Sequence, residues 1–172
     1  MAESRKTSNK KLPTVQSPYQ VARHRMKSGD LVFWSGTGIT SRIVRWFTKS
    51  RWSHVGVVVR WGPRIMIVDS LIGRGVRAVP LSNRLDRAYW VPTNVEWGQS
   101  AHAFALDQLE RPYSLQNLWK TWRRLNLVAS EYHCSQYAAT VLSKTGLTID
   151  TNHSPESLYR EFIFDNPPVP LF

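Results

Sequence analysis

The chemistry in this chain has to begin with Cys134, the only cysteine among its 172 residues. It lies in Glu131-Tyr132-His133-Cys134-Ser135-Gln136-Tyr137-Ala138-Ala139-Thr140-Val141-Leu142. A thiol attacks as its thiolate. It needs an imidazole to ionise it and later to protonate a leaving group, and a third group to orient that imidazole. A lone cysteine is more often a small buried hydrophobe, so the case rests on finding a base. Of the five histidines, His54 is the best candidate, since it follows Trp52-Ser53 at the mouth of an apolar strand. His24 lies near a basic run, His102 among helical neighbours, and His153 in a loop beside a cap. His133 adjoins Cys134, but adjacent side chains on a helix do not face each other.

The orienting group follows from strand register. His54 to Trp61 and Arg64 to Ser70 flank Gly62-Pro63, a turn signal. If those two residues form the whole loop, facing residues have numbers summing to 125. Gly56 then opposes Asp69 and His54 opposes Leu71. Side chains alternate with period two, so His54, Gly56, Asp69 and Leu71 share one face. His54 and Asp69 become diagonal neighbours, with no side chain between them at Gly56. A slip of one residue puts Ser70 there instead, so both Asp69 and Ser70 stand as candidates at this stage.

The elements that must position these groups fall into two halves. Ser28-Gly29-Asp30 turns into a short strand, Leu31 to Trp34. Ile39, Ile43, Val44, Trp46 and Phe47 have helical spacing, with Thr37 or Thr40 as a cap. After the two strands above come Val76 to Leu81 and Arg87 to Val91, together read as an antiparallel meander. Helices are expected over 101–109 and 115–125. A third carries Cys134 in its first turn, where unpaired N–H groups and the helix dipole favour a thiolate. Gly146 is its left-handed stop. A last helix starts at Ser154-Pro155. Strands first and helices after make an α+β domain.

Lys and Arg total 23 against 12 Asp and Glu, a formal charge of +11. This favours anionic partners: nucleic acid, an anionic polymer or a membrane surface. Residues 1–27 are expected to be a flexible basic arm, 28–165 the domain, and 166–172 a proline-rich trailing segment. One cysteine excludes an intramolecular disulfide framework. The histidines lack ligand spacing, so no metal site or other cofactor is expected. No apolar run approaches the roughly 18 residues of a spanning helix, and the N-terminus lacks a signal peptide's apolar block. The expected location is the cytoplasm at synthesis, with association with a virion or delivery to the cell envelope afterwards.

An ordered set of motifs carries a resemblance. It runs Gly29-Asp30-Leu31-Val32-Phe33, Ser53-His54-Val55-Gly56-Val57-Val58, Val68-Asp69-Ser70, Arg111-Pro112-Tyr113-Ser114 and Tyr132-His133-Cys134-Ser135-Gln136-Tyr137. It resembles the circularly permuted NlpC-type papain-like hydrolases of the YiiX and YaeF group, over roughly residues 28 to 160. In that group the histidine strand precedes the cysteine helix. The resemblance implies a permuted papain-like fold with the catalytic cysteine on a packed helix, Cys134 as nucleophile and His54 as base. Asp69 falls where these proteins carry an acidic residue, usually Glu. Tyr113 matches a Pro-Tyr element near their substrate cleft, and Tyr132 and Ser53 are the further candidates for substrate contact. Gln136 stands where the family has Glu. The Asn-Cys-Glu-His signature of lecithin:retinol acyltransferases is absent.

The implied activity is a cysteine amidase or peptidase acting on cell-wall peptides or N-acyl amino acids. One rival is a lipid thioesterase, phospholipase or acyltransferase, for which Trp46, Phe47, Trp52, Trp119 and Trp122 suit a membrane interface. Their helical spacing fits core and cleft packing better. The other rival is a non-catalytic module binding nucleic acid or a surface.

Overall fold

The computed structural model describes residues 16–38, 50–71, 74–110, 129–151, 153–163 and 166–172. Its centre is β1 (Leu31–Trp34), buried at every position. Such a run needs a core on both faces. Leu31 and Phe33 face one apolar cluster, Val32 and Trp34 another.

Around β1 lie β2 (His54–Trp61), β3 (Arg64–Leu71), β4 (Gly75–Pro80), β5 (Ala88–Val91) and β6 (Val169–Pro170). They form one antiparallel sheet in the order β4-β3-β2-β1-β5-β6. β2, β3 and β4 follow one another as the expected meander, and β1 adds to its β2 side. β5 does not continue it: a 3-10 turn at Leu81–Asn83 carries the chain back to pair with β1. Apolar alternation marks β5 as a strand but says nothing of its partner.

Four helices are described: α1 (Pro18–Ala22), α2 (Gln99–Asp107), α3 (Ala129–Ser143) and α4 (Pro155–Ile163). Residues of α2, α3 and α4, among them Ala105, Ala138, Val141, Leu142 and Leu158, pack with Val55, Val57 and Val59. Each valine so covered is worth about 1.5–3 kcal/mol relative to exposure. Gly146 is left-handed, with φ +88°, just beyond α3. α4 begins as its sequence suggests, with Ser154 Oγ accepting from the Ser157 N–H at 3.1 Å and Pro155 next.

Both ends differ from expectation. Residues 1–15 of the basic arm lie outside the described residues, but 16–27 are not an arm. Ser17 and Gln20 form a reciprocal capping box on α1, with Pro18 first in the helix. Tyr19, Ala22 and Met26 are buried with Val32 and Trp90. Positive charge on the exposed side of this segment disguised its apolar side. The proline-rich tail likewise ends as an edge strand: Val169 pairs with Trp90, and Leu171 is 1% exposed. An edge tolerates proline because one side needs no donor.

The helices expected over 39–47 and 115–125, with Trp46, Phe47, Trp119 and Trp122, lie outside the described residues. Trp52 is fully buried against Phe33 and Tyr159 and is a core side chain. Among the described residues no helix is long and apolar enough to cross a membrane.

Candidate active site

The β2–β3 hairpin has the register that a two-residue turn dictates: Val57 opposes Val68, and Trp61 opposes Arg64. Gly62 takes φ +58°. A positive φ followed by proline's fixed negative one has the sign pattern of a type II′ turn, so Pro63 suits its second central position.

His54 opens β2, and its Nε2 lies 2.7 Å from Asp69 Oδ2. Gly56 permits this approach. A Cβ there would sit 2.4 Å from Ile67 Cγ2 and 3.2 Å from Asp69 Cβ. Ser70 is buried beside Asp69 in sequence but does not take its place at the imidazole.

The imidazole also hydrogen-bonds the Cys134 side chain. With Nε2 committed to Asp69, the nitrogen left for sulfur is Nδ1. Cys134 belongs to the cluster on the helix-covered face, whereas His54 and Asp69 lie on the other. They meet where β2 begins. Side-chain exposure there is 12% for His54 and zero for Asp69.

Burial pushes the His54 pKa down. It is outweighed by the charge of Cys134, the hydrogen bonds to Asp69 and Cys134, and the charge of Asp69, which together raise it to about 9. Burial would push the Asp69 carboxyl up, but bonds to His54 and Arg77 and the charges of His54 and Arg84 hold it well below the usual carboxylate range. The arrangement favours an imidazolium at His54 beside the ionised Asp69 carboxylate at neutral pH.

Three neighbours of this centre escaped sequence reasoning. Arg77, directly opposite Asp69 on β4, donates from Nε to Oδ1 at 2.9 Å. Arg84 donates from Nη1 to Oδ2. The Arg84 guanidinium lies 4.6 Å from the Trp34 ring centroid, and its carbonyl accepts from Trp34 Nε1 at 2.8 Å. The Trp34 ring is in turn 5.5 Å from that of His54. Trp34, Arg84, Asp69 and His54 thus close a ring of contacts that leaves the carboxylate and imidazole little freedom. Alternation along β4 hinted at Arg77. Nothing local pointed to Arg84, which comes from the turn after Leu81–Asn83.

One expectation is corrected. α3 is described from Ala129 onward, so Cys134 lies beyond the first turn of the helix. Its N–H falls within the i→i−4 ladder, away from the unpaired N–H groups of the helix start expected to favour its thiolate. Ala129 and Glu131 are good helix formers, whereas the apolar period identified only the face of the helix.

Ser53 places its hydroxyl between Trp34 O, 3.0 Å, and the Gly36 N–H, 2.8 Å, tying the chain ahead of His54 to the end of β1. The backbone of Tyr132 is in α3, while Tyr113 lies outside the described residues. Ser135 donates to His153 O, and the Tyr137 hydroxyl to Ala105 O at 3.1 Å, pinning α3 to α2 and to the approach of α4.

A family model described as permuted papain-like amidase enzyme, YaeF/YiiX, C92 family, matches residues 25–168. The chain belongs to this family. It is a papain-like amidase and peptidase family, so the resemblance in the motifs and the α+β permuted papain-like fold both hold. Among solved structures the chain is similar to metalloprotein yiiX from Escherichia coli O157:H7, at 16% identity and a TM-score of 0.53. The match covers 84% of this chain and 85% of that one. At that identity the likeness shows the fold alone. No curated protein matches the chain.

That neighbour is a metalloprotein. Among the described residues no three His, Cys, Asp or Glu side chains cluster as a metal would require. Asp69 already receives one imidazole and two guanidiniums. This donor set does not suit a cation.

Proposed function

We propose that this member of the permuted papain-like amidases cleaves amide bonds with Cys134 as nucleophile, His54 as acid and base, and Asp69 as the orienting carboxylate. The observation that carries the reading is one imidazole bonded to both the cysteine and the buried aspartate. Sulfur adds to the substrate carbonyl carbon. As the C–N bond breaks, His54 gives its proton to the departing amine and a thioester remains on Cys134. His54 then takes a proton from water, which adds to the thioester, and the acid leaves with the thiolate restored. In this structure Cys134 is 1% exposed, so a substrate must displace the groups covering it.

The substrate class that suits the family and the charge of +11 is a cell-wall peptide or N-acyl amino acid within an anionic polymer. Tyr113, Tyr132 and Ser53 stand as candidate substrate contacts. Such an enzyme would act from a virion or after delivery to the envelope. Trp52, buried in the core, is not free to meet the membrane interface of the rival reading. The test is to offer wild type and Cys134→Ala a murein peptide, an N-acyl amino acid and a phospholipid. Release of amine by wild type only is the expected result. Fatty-acid release from the phospholipid alone would transfer the same residues to lipid chemistry.

A further inference from the structure

At the other end of the sheet is a cavity of about 550 Å³ that amide cleavage does not use. Arg60, on its wall, stands six residues along β2 from His54, roughly 20 Å by strand rise. The volume is within the roughly 300–1,000 Å³ of small-molecule sites. Its rim carries His24, Arg25, Lys27 and Arg60.

Among the described residues of this lining Asp30 is the one carboxylate, and it is 3% exposed. Its Oδ2 accepts from the Lys27 N–H and Trp90 Nε1, both at 2.8 Å, and its Oδ1 from the Thr93 N–H at 3.3 Å. Burial also pushes its carboxyl up from the usual range. Asp30 therefore organises this end of the lining, both its oxygens turned to these three donors. Arg60 is held rigidly, donating from Nη1 to Arg23 O and Met26 O at 3.2 and 2.9 Å. The Arg25 guanidinium lies 5.6 Å from the Trp90 ring centroid. Asn94 and Asn166, 3.4 Å apart, add amide donors and acceptors on the same wall.

We infer that this cavity binds a phosphate-bearing ligand, with Arg25, Lys27 and Arg60 meeting the phosphoryl oxygens and the two asparagines a polar group attached to it. Several cations around one recess favour a compact anion with many acceptor oxygens over a single carboxylate. The phosphoryl group could be that of a soluble ester or of a lipid headgroup.

The test titrates the full-length protein with inorganic pyrophosphate, glucose 1-phosphate and phosphatidylglycerol vesicles, using phosphatidylcholine vesicles as control. Binding is followed by calorimetry and by the Trp90 indole resonance. Saturable binding of either soluble phosphate, weakened about tenfold or more in Arg25→Glu/Lys27→Glu, is the expected result. Phosphatidylglycerol binding that pyrophosphate displaces would assign the site to headgroups and also support it. Equal affinity in wild type and variant, binding to vesicles that pyrophosphate leaves untouched, or no saturable binding would overturn it. The milder Arg25→Ala, with an unchanged unfolding midpoint, guards against misfolding of the double variant. Amide turnover should be the same in all three proteins.

Discussion

Asp69 and Asp30 are both buried aspartates at this one sheet, yet their environments drive them in opposite directions. Burial disfavours the charged form of both. Asp69 answers it with an imidazole and two guanidiniums and stays ionised; Asp30 answers it with three neutral N–H donors and is pushed up. Burial alone does not make a carboxylate useful to a reaction. Charged donors turn the His54 end into a place where an imidazolium is stable, while neutral donors make the Asp30 end a structural knot.

The largest expected effect strikes the His54 end alone. Cys134→Ala should lower amide turnover by roughly 10⁴- to 10⁶-fold, with cleavage kinetics as the check and Asp30's environment unchanged. Asp69→Asn comes next. It should cut kcat by up to roughly 10⁴-fold and destabilise the fold by about 3–5 kcal/mol, because two guanidiniums lose their partner. With its anionic neighbour gone, the His54 pKa should fall from about 9, drawing the alkaline limb of the pH–rate profile downward.

Arg84→Gln and Arg77→Gln should move that limb the other way, since each removes positive charge near the imidazolium. The stability cost should be about 1–3 kcal/mol, read by denaturant unfolding. Lysine at either position should restore much of the limb but less of the stability. A profile unmoved by any of these changes would mean that the arginines serve packing only.

Asp30→Asn should have the smallest effect, about 1 kcal/mol of stability with amide turnover intact. The two aspartates also differ in their pH signature. Asp69, depressed in the fold, contributes stability that is present above the unfolded carboxylate pKa and lost as pH falls through its folded value. Asp30, raised in the fold, contributes stability that is present below the unfolded value and lost as pH rises through its folded one. Acid titrations of the two Asn variants should therefore deviate from wild type in opposite senses. Matching deviations would erase the contrast.

What was legible in the sequence was what short-range rules govern. The pairing of His54 with Asp69 came from one tight turn, two residues long, which leaves almost no freedom in register. The strand and helix types followed from periodicity, and the caps at Ser154 and Gly146 from residue chemistry. The partner of β5, the extent of α3 ahead of Cys134 and the approach of Arg84 were not legible. Each depends on where the chain goes after a turn, which no local pattern encodes. Asp30 looked like an ordinary turn residue, because its burial is imposed by Trp90 and Thr93, some sixty positions away.

The gap at Gly56 offers a way to silence the enzyme by addition. A single methyl there collides with Ile67 before it reaches any reacting atom. Gly56→Ala should therefore leave sulfur, imidazole and carboxylate all present while spoiling their alignment. Such a protein would be a dead control that keeps every functional group, useful for separating what these side chains are from where they stand.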